Sequence, residues 1–170
     1  MSLPRAVSSV VPVLAALILA GCQSTPPYVY HYVPGRTAVL ENGIAVAPPL
    51  APPAVQLAIA AGNEIAGKPY RFGGGHRSFY DDGYDCSGAV SYVLHAAGWL
   101  AAPGPSWSFR KYGESGAGHW ITVYAHSGHV FLVVAGLRFD TGYGSVTGGP
   151  AWLTRSRPAD RYVLRHPPGL

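Results

Sequence analysis

The stretch Tyr84-Asp85-Cys86-Ser87-Gly88-Ala89-Val90-Ser91-Tyr92-Val93-Leu94-His95-Ala96-Ala97-Gly98 carries one face of a helix. Counting from Cys86, apolar or small side chains recur at Ala89, Val90, Val93, Leu94 and Ala97, the spacing of a helix that covers a core. Gly98 supplies the stop. Cys86 therefore falls in the first turn, on the core-facing side, where unpaired backbone N–H groups and the helix dipole favour a thiolate. A thiol so placed is a candidate nucleophile; the competing reading is a small buried core cysteine.

A nucleophilic thiol needs a base. Of the seven histidines, His129 is the best placed, because it opens the most apolar strand of the chain, Val130-Phe131-Leu132-Val133-Val134. A histidine before a strand is also a common surface or capping residue, and His119 and His126 lie nearby, so spacing alone does not single it out. Gly136 allows a turn, after which Leu137-Arg138-Phe139-Asp140 reads as the returning strand. In an antiparallel pair Asp140 comes back close to His129, where it can accept a hydrogen bond from the imidazole and fix its tautomer. Asp140 could instead cap the turn it forms with Thr141 and Gly142. His126 and His129 also form an H-x-x-H that Asp140 could join, but zinc sites favour a helical H-x-x-x-H or paired cysteines, so neither a metal nor another cofactor is expected. These parts give an α+β fold class, a cysteine-bearing helix packed on a central antiparallel sheet.

Ahead of this domain the chain changes character. Residues 1–21 read as an export signal, with Arg5, an apolar run from Val10 to Ala20 that is short for a bilayer span, and small residues at the end. Leu19-Ala20-Gly21-Cys22 resembles the lipobox of bacterial lipoproteins, in which the cysteine becomes an acylated amino terminus, so Cys22 is the expected lipidation site. With Cys22 acylated, Cys86 has no disulfide partner in the exported chain. Residues 22–53 are rich in Pro, Ala and Val, with only Arg36 and Glu41 charged, and read as an extended tether. The run Tyr28-Val29-Tyr30-His31-Tyr32 could instead pack on the domain as an edge strand. The domain proper is expected over residues 54–170. It opens with a helix from Ala54 to Ile65, closed at Gly67, and continues through the Pro69 and Gly73-Gly74-Gly75 breaks.

The composition suits a domain of roughly 110 residues with a real core: 48% hydrophobic, 12% charged and a net charge of +4. The basic residues are scattered, without a Lys/Arg run or an aromatic ladder between them, so nucleic acid is not an expected partner.

Gly67-Lys68-Pro69-Tyr70-Arg71-Phe72-Gly73-Gly74, followed by Tyr84-Asp85-Cys86-Ser87-Gly88-Ala89-Val90 and Gly128-His129-Val130, resembles the NlpC-type family of papain-like cell-wall cysteine peptidases. The resemblance spans Ala54 to about Gly144 and implies the same α+β arrangement, in its papain-like form. It assigns the nucleophile to Cys86, the base to His129 and the orienting residue to Asp140. It matches Tyr70 to a tyrosine beside the thiolate and oxyanion. Asp85 and Ser87 match positions that contact the free amino end of the stem peptide, although Asp and Ser at a helix start also serve as caps. Relatives usually carry a G-D-L-V-F-F-like strand where this chain has His119-Trp120-Ile121-Thr122-Val123-Tyr124, and often a histidine where it has Asp140. The tail, with Gly148-Gly149-Pro150-Ala151-Trp152 and Arg161-Tyr162-Val163-Leu164, is expected to add an edge strand and cleft wall.

The resemblance implies hydrolysis of a peptidoglycan stem-peptide amide, with γ-D-glutamyl-diaminopimelate the favoured bond. Alternatives on the same fold are an N-acetylmuramoyl-L-alanine amidase, an acyltransferase, and an inactive wall-binding lipoprotein. Expected partners are stem peptides and, through Cys22, a membrane; the protein is expected to be a monomer in the cell envelope, on the extracytoplasmic face.

Overall fold

The structure, a computed structural model, describes residues 24–170. The expected signal segment and Cys22 lie outside the described residues. Two helices pack on one side of an antiparallel sheet. Helix α1 (Pro53–Ile65) starts with a proline in its first turn and buries Val55, Ala58, Ile59, Gly62 and Ile65, a 3,4-spaced face. It ends at Ala66, followed by Gly67 at φ +82°. Gly62 is required here, since a Cβ at that position would lie 2.3 Å from the Trp152 ring. Helix α2 (Cys86–Ala96) is buried from Cys86 through Leu94 and stops where Gly98 takes φ +85°.

The main sheet has six strands in the order β3 (Glu114–Ser115), β8 (Val163–His166), β4 (Ile121–His126), β5 (His129–Val134), β6 (Leu137–Asp140) and β7 (Ala151–Leu153), all antiparallel. Ala135 (φ +46°) and Gly136 (φ +76°) form the two-residue β5–β6 turn, both in the left-handed region that a tight hairpin of this hand demands. The register Ala125↔Val130, Val123↔Leu132, Leu132↔Phe139 and Phe139↔Trp152 puts one set of side chains under the helices. Full burial of Val123, Val130, Leu132 and Phe139 stabilises the fold by about 1.5–3 kcal/mol each.

The opposite face holds Tyr124, Phe131, Val133, Arg138 and Asp140, and it is covered by Tyr28, Ala159 and Tyr162. The chain before α1 is thus not an extended tether over residues 28–53. Tyr28, 4% exposed, makes a closed antiparallel bridge with Arg157. Strands β1 (Val39–Glu41) and β2 (Ile44–Val46) form a hairpin about Asn42-Gly43, and Asn63 of α1 exchanges two 2.9 Å hydrogen bonds with the Ala45 backbone. Pro and Ala content argued for a tether, but the Asn-Gly turn flanked by Val39-Leu40 and Ile44-Ala45-Val46 is a hairpin signal that outweighs it. The tail differs too: β7 is an edge strand as expected, whereas β8 is inserted between β3 and β4. Among the described residues no helix is long and apolar enough to cross a membrane.

Candidate active site

Cys86 is the first residue of α2 and a free, buried thiol, 9% exposed. Asp85 is the cap: its side chain accepts from Gly88 N at 2.8 Å, satisfying one orphan donor of the first turn. The turn at Gly73–Gly75 presses against this helix start. A Cβ at Gly88 would lie 1.9 Å from the Gly74 carbonyl oxygen, so only glycine lets the two segments meet. Tyr84 pairs in parallel with Tyr70, its N–H donating to Pro69 O at 3.1 Å, which sets Tyr70 beside the helix start. The Tyr70 phenol is pushed up by burial and by the negative charges of Cys86 and Asp85, as its position next to both requires.

His129 is the first residue of β5 and faces Asp140, the last of β6, across the hairpin. Its Nε2 donates to Asp140 Oδ1 at 2.8 Å, which leaves Nδ1 for the thiol. Burial opposes charge on this imidazole, but hydrogen bonds to Asp140 and Cys86 and their negative charges outweigh it, and the pKa rises from 6.5 to about 9. His126, paired with His129 in the register, is pushed the other way by burial and by the positive charges of His129, Arg157, Arg161 and Arg110. Its Nδ1 accepts from Gly128 N at 2.9 Å.

Cys86, His129, Asp140 and Tyr70 therefore come together. Asp85 and Ser87 are also adjacent to the thiol but buried, and their polar atoms face each other. Asp85 Oδ1 accepts from Ser87 Oγ at 3.2 Å as well as from Gly88 N, and Oδ2 accepts from Gly73 N at 2.9 Å. The cap role is visible in these bonds.

Three residues of this region escaped the sequence reading. His76 Nε2 lies 3.0 Å from Asp85 Oδ1 and 3.1 Å from Ser87 Oγ, bridging the pair; nothing in its loop context signals this. Arg138 and Arg157 both donate to Asp140 Oδ2, at 3.1 and 2.7 Å. Arg138 could have been found, since in Leu137-Arg138-Phe139-Asp140 the strand alternation puts Arg138 and Asp140 on one face. Arg157 had no such signal.

No family model matches the chain, and no curated protein matches it. Solved structures do. One is a hypothetical invasion protein of Mycobacterium tuberculosis, at TM-score 0.48 and 24% identity over 66% of this chain and 61% of that one. Two are mutated forms of the Resuscitation Promoting Factor Interacting protein RipA, at TM-score 0.46 and 24% and 25% identity, over 66% of this chain and 62% and 61% of theirs. The chain spans about three fifths of the length of these structures, and a likeness of this size assigns no family and transfers no activity.

Proposed function

We propose that this chain is a cell-wall cysteine hydrolase of NlpC type that cleaves stem-peptide amides of peptidoglycan, with Cys86 as nucleophile, His129 as acid and base, and Asp140 as the residue that orients His129. The observation that carries the reading is the hydrogen bond from His129 to a fully buried Asp140, beside a helix-start cysteine that itself helps hold the imidazole proton. Such a pair keeps His129 cationic at neutral pH, beside the Cys86 sulfur.

In the reaction, the Cys86 thiolate attacks the amide carbon, and N–H groups of the first turn of α2 together with the Tyr70 hydroxyl hold the oxyanion. The His129 imidazolium gives its proton to the departing amine as the C–N bond breaks and a thioester remains. The neutral imidazole then takes a proton from water, the hydroxide adds to the thioester, and collapse releases the acid and returns the thiolate–imidazolium pair. Asp140 neutralises the imidazolium and holds its tautomer. Asp85 Oδ2, which accepts only from Gly73 N, and Ser87 Oγ are the acceptors near the thiol that would meet the free amino end of the stem peptide.

The favoured bond is γ-D-glutamyl to diaminopimelate, on the strength of the motif resemblance. Digestion of purified muropeptides by the full-length protein tests it: a newly freed diaminopimelate amine identifies the endopeptidase, whereas intact stem peptides identify an amidase and peptide exchange an acyltransferase. Binding to wall fragments without any product would identify the inactive lipoprotein.

Export and anchoring are part of the same proposal. The Leu19-Ala20-Gly21-Cys22 stretch supports lipidation at Cys22 and a place in the cell envelope. Palmitate labelling that disappears in Cys22→Ser is the expected result; undiminished labelling contradicts it.

A further inference from the structure

Asp140 uses its two oxygens differently. Oδ1 accepts from His129 Nε2 and from Thr141 N, each at 2.8 Å, while Oδ2 takes both guanidiniums. The arginines therefore set the rotation of the carboxylate and leave Oδ1 for the imidazole. Both are held in turn by one residue far away in sequence. The Tyr28 hydroxyl accepts from Arg138 N at 3.2 Å and donates to Gly136 O at 3.0 Å, pinning the start of β6. The Tyr28 backbone exchanges two hydrogen bonds with Arg157, of 2.8 and 3.0 Å. Burial pushes the Tyr28 phenol up to about 12, so it stays a neutral hydroxyl that both donates and accepts.

Packing alone does not account for this arrangement. Arg138 is fully buried, and the Nε of each arginine has no hydrogen-bond acceptor among the described residues. A fully buried cation and a largely buried one around a single carboxylate are a poor way to gain stability, because well-packed apolar side chains commonly do as well or better. What the arginines supply is a carboxylate acceptor held in one orientation for His129.

We propose that Tyr28, acting through Arg138 and Arg157, is a positioning residue for Asp140 and His129, so that the segment before β1 belongs to the active site. This rests on the reading of Cys86 and His129 as the reacting pair. The consequence is that removing or displacing the segment around Tyr28 lowers reactivity without touching a reacting atom.

The groups facing His129 are Cys86 from α2, His126 from β4, Asp140 from β6, and Arg157 and Tyr162 from the chain between β7 and β8. Arg138 reaches it through Asp140. Of these, the Tyr28 hydroxyl bonds only Arg138, through its backbone N, while the Tyr28 ring packs in one cluster with Tyr162, so a change confined to the hydroxyl makes the test selective.

The test is the pH dependence of iodoacetamide alkylation at Cys86 in the full-length protein, followed on the Cys86 peptide by mass spectrometry, for wild type, Tyr28→Phe and Arg157→Gln. This reads the thiolate–imidazolium pair without reference to any wall substrate. Tyr28→Phe keeps the ring and the backbone bridge and removes only the hydroxyl. Tyr28→Phe, which changes no charge, is expected to move the basic inflection of the profile down by about one pH unit. Arg157→Lys, which keeps the cation but loses the guanidinium fork, is expected to move it in the same direction, and Arg157→Gln less far, because removing a cation near His129 by itself favours the imidazolium. Should Arg157→Gln fail to fold, Tyr28→Phe and Arg157→Lys carry the comparison. Profiles coincident with wild type overturn the proposal, including where melting temperatures fall, since that pattern is a structural role alone. Shifted profiles in a protein that cleaves no peptidoglycan sustain this inference while removing the proposed substrate.

Discussion

His129 sits between a thiol and a carboxylate that both favour its charged form, against a burial that opposes it, and the balance lies at about 9. The sign of the consequence is definite. A group whose folded value lies above its ordinary 6.5 lends stability that is complete below 6.5 and is lost as the pH climbs through about 9. Hydrolysis should follow the same limb, holding through neutral pH and falling as His129 loses its proton near 9. Asp140→Asn should move that limb towards neutrality, and a pH–rate profile that does not move contradicts the role given to Asp140. The same carboxylate matters for folding. Asp140→Ala leaves Arg138 and Arg157 without their counter-charge in a buried setting, which should cost about 3–5 kcal/mol in denaturant unfolding, whereas Cys86→Ala should stay within about 1 kcal/mol of wild type. Much of this chemistry was legible in the sequence, because Cys86 and Asp140 lie on elements with clear periodicity and one short turn brings Asp140 back to His129. The arginines' partner Tyr28 was not, because the bond from Arg138 N spans 110 residues and no local pattern encodes such a contact.

At the level of elements, the decisive join is between the start of α2 and the glycine turn before it. Asp85 reaches back to Gly73 N and forward to Gly88 N, so one carboxylate ties turn and helix together. Gly88 has no room for a side chain there, since its Cβ would meet the Gly74 carbonyl oxygen at 1.9 Å. Gly88→Ala must displace one backbone from the other, and we expect a loss of about 1–3 kcal/mol, together with slower Cys86 alkylation as the helix start moves from His129. Unchanged alkylation in a destabilised protein would show that the join serves folding alone. Helix α2 and the β5–β6 hairpin followed from side-chain spacing and one glycine. The place of β8 inside the sheet did not, because strand order depends on which exposed edge a returning tail finds, and the alternation of Val163-Leu164-Arg165-His166 is the same in either place.

Over the whole molecule, the sheet is covered on both faces, by the helices on one and by the segment around Tyr28 with the Ala159–Tyr162 region on the other. The segment before α1 read as a tether because its composition is that of an extended chain; the structure folds it through one buried tyrosine and one hairpin. A chain beginning at Ala54 would uncover Phe131 and Arg138 and strip Ala45 from Asn63. Its melting temperature should fall by roughly 10 °C or more, on the burial of one large aromatic and the loss of several buried hydrogen bonds. Equal melting temperatures would mean that the segment contributes nothing to the fold. The central claim is that a Cys86-dependent amide hydrolysis takes place on the cell wall, and its most direct test is the release of free amino groups from purified peptidoglycan at neutral pH by the full-length protein and by Cys86→Ala. Release by the wild type and none by the variant is the predicted result. Equal release by both, or none by either, contradicts the account.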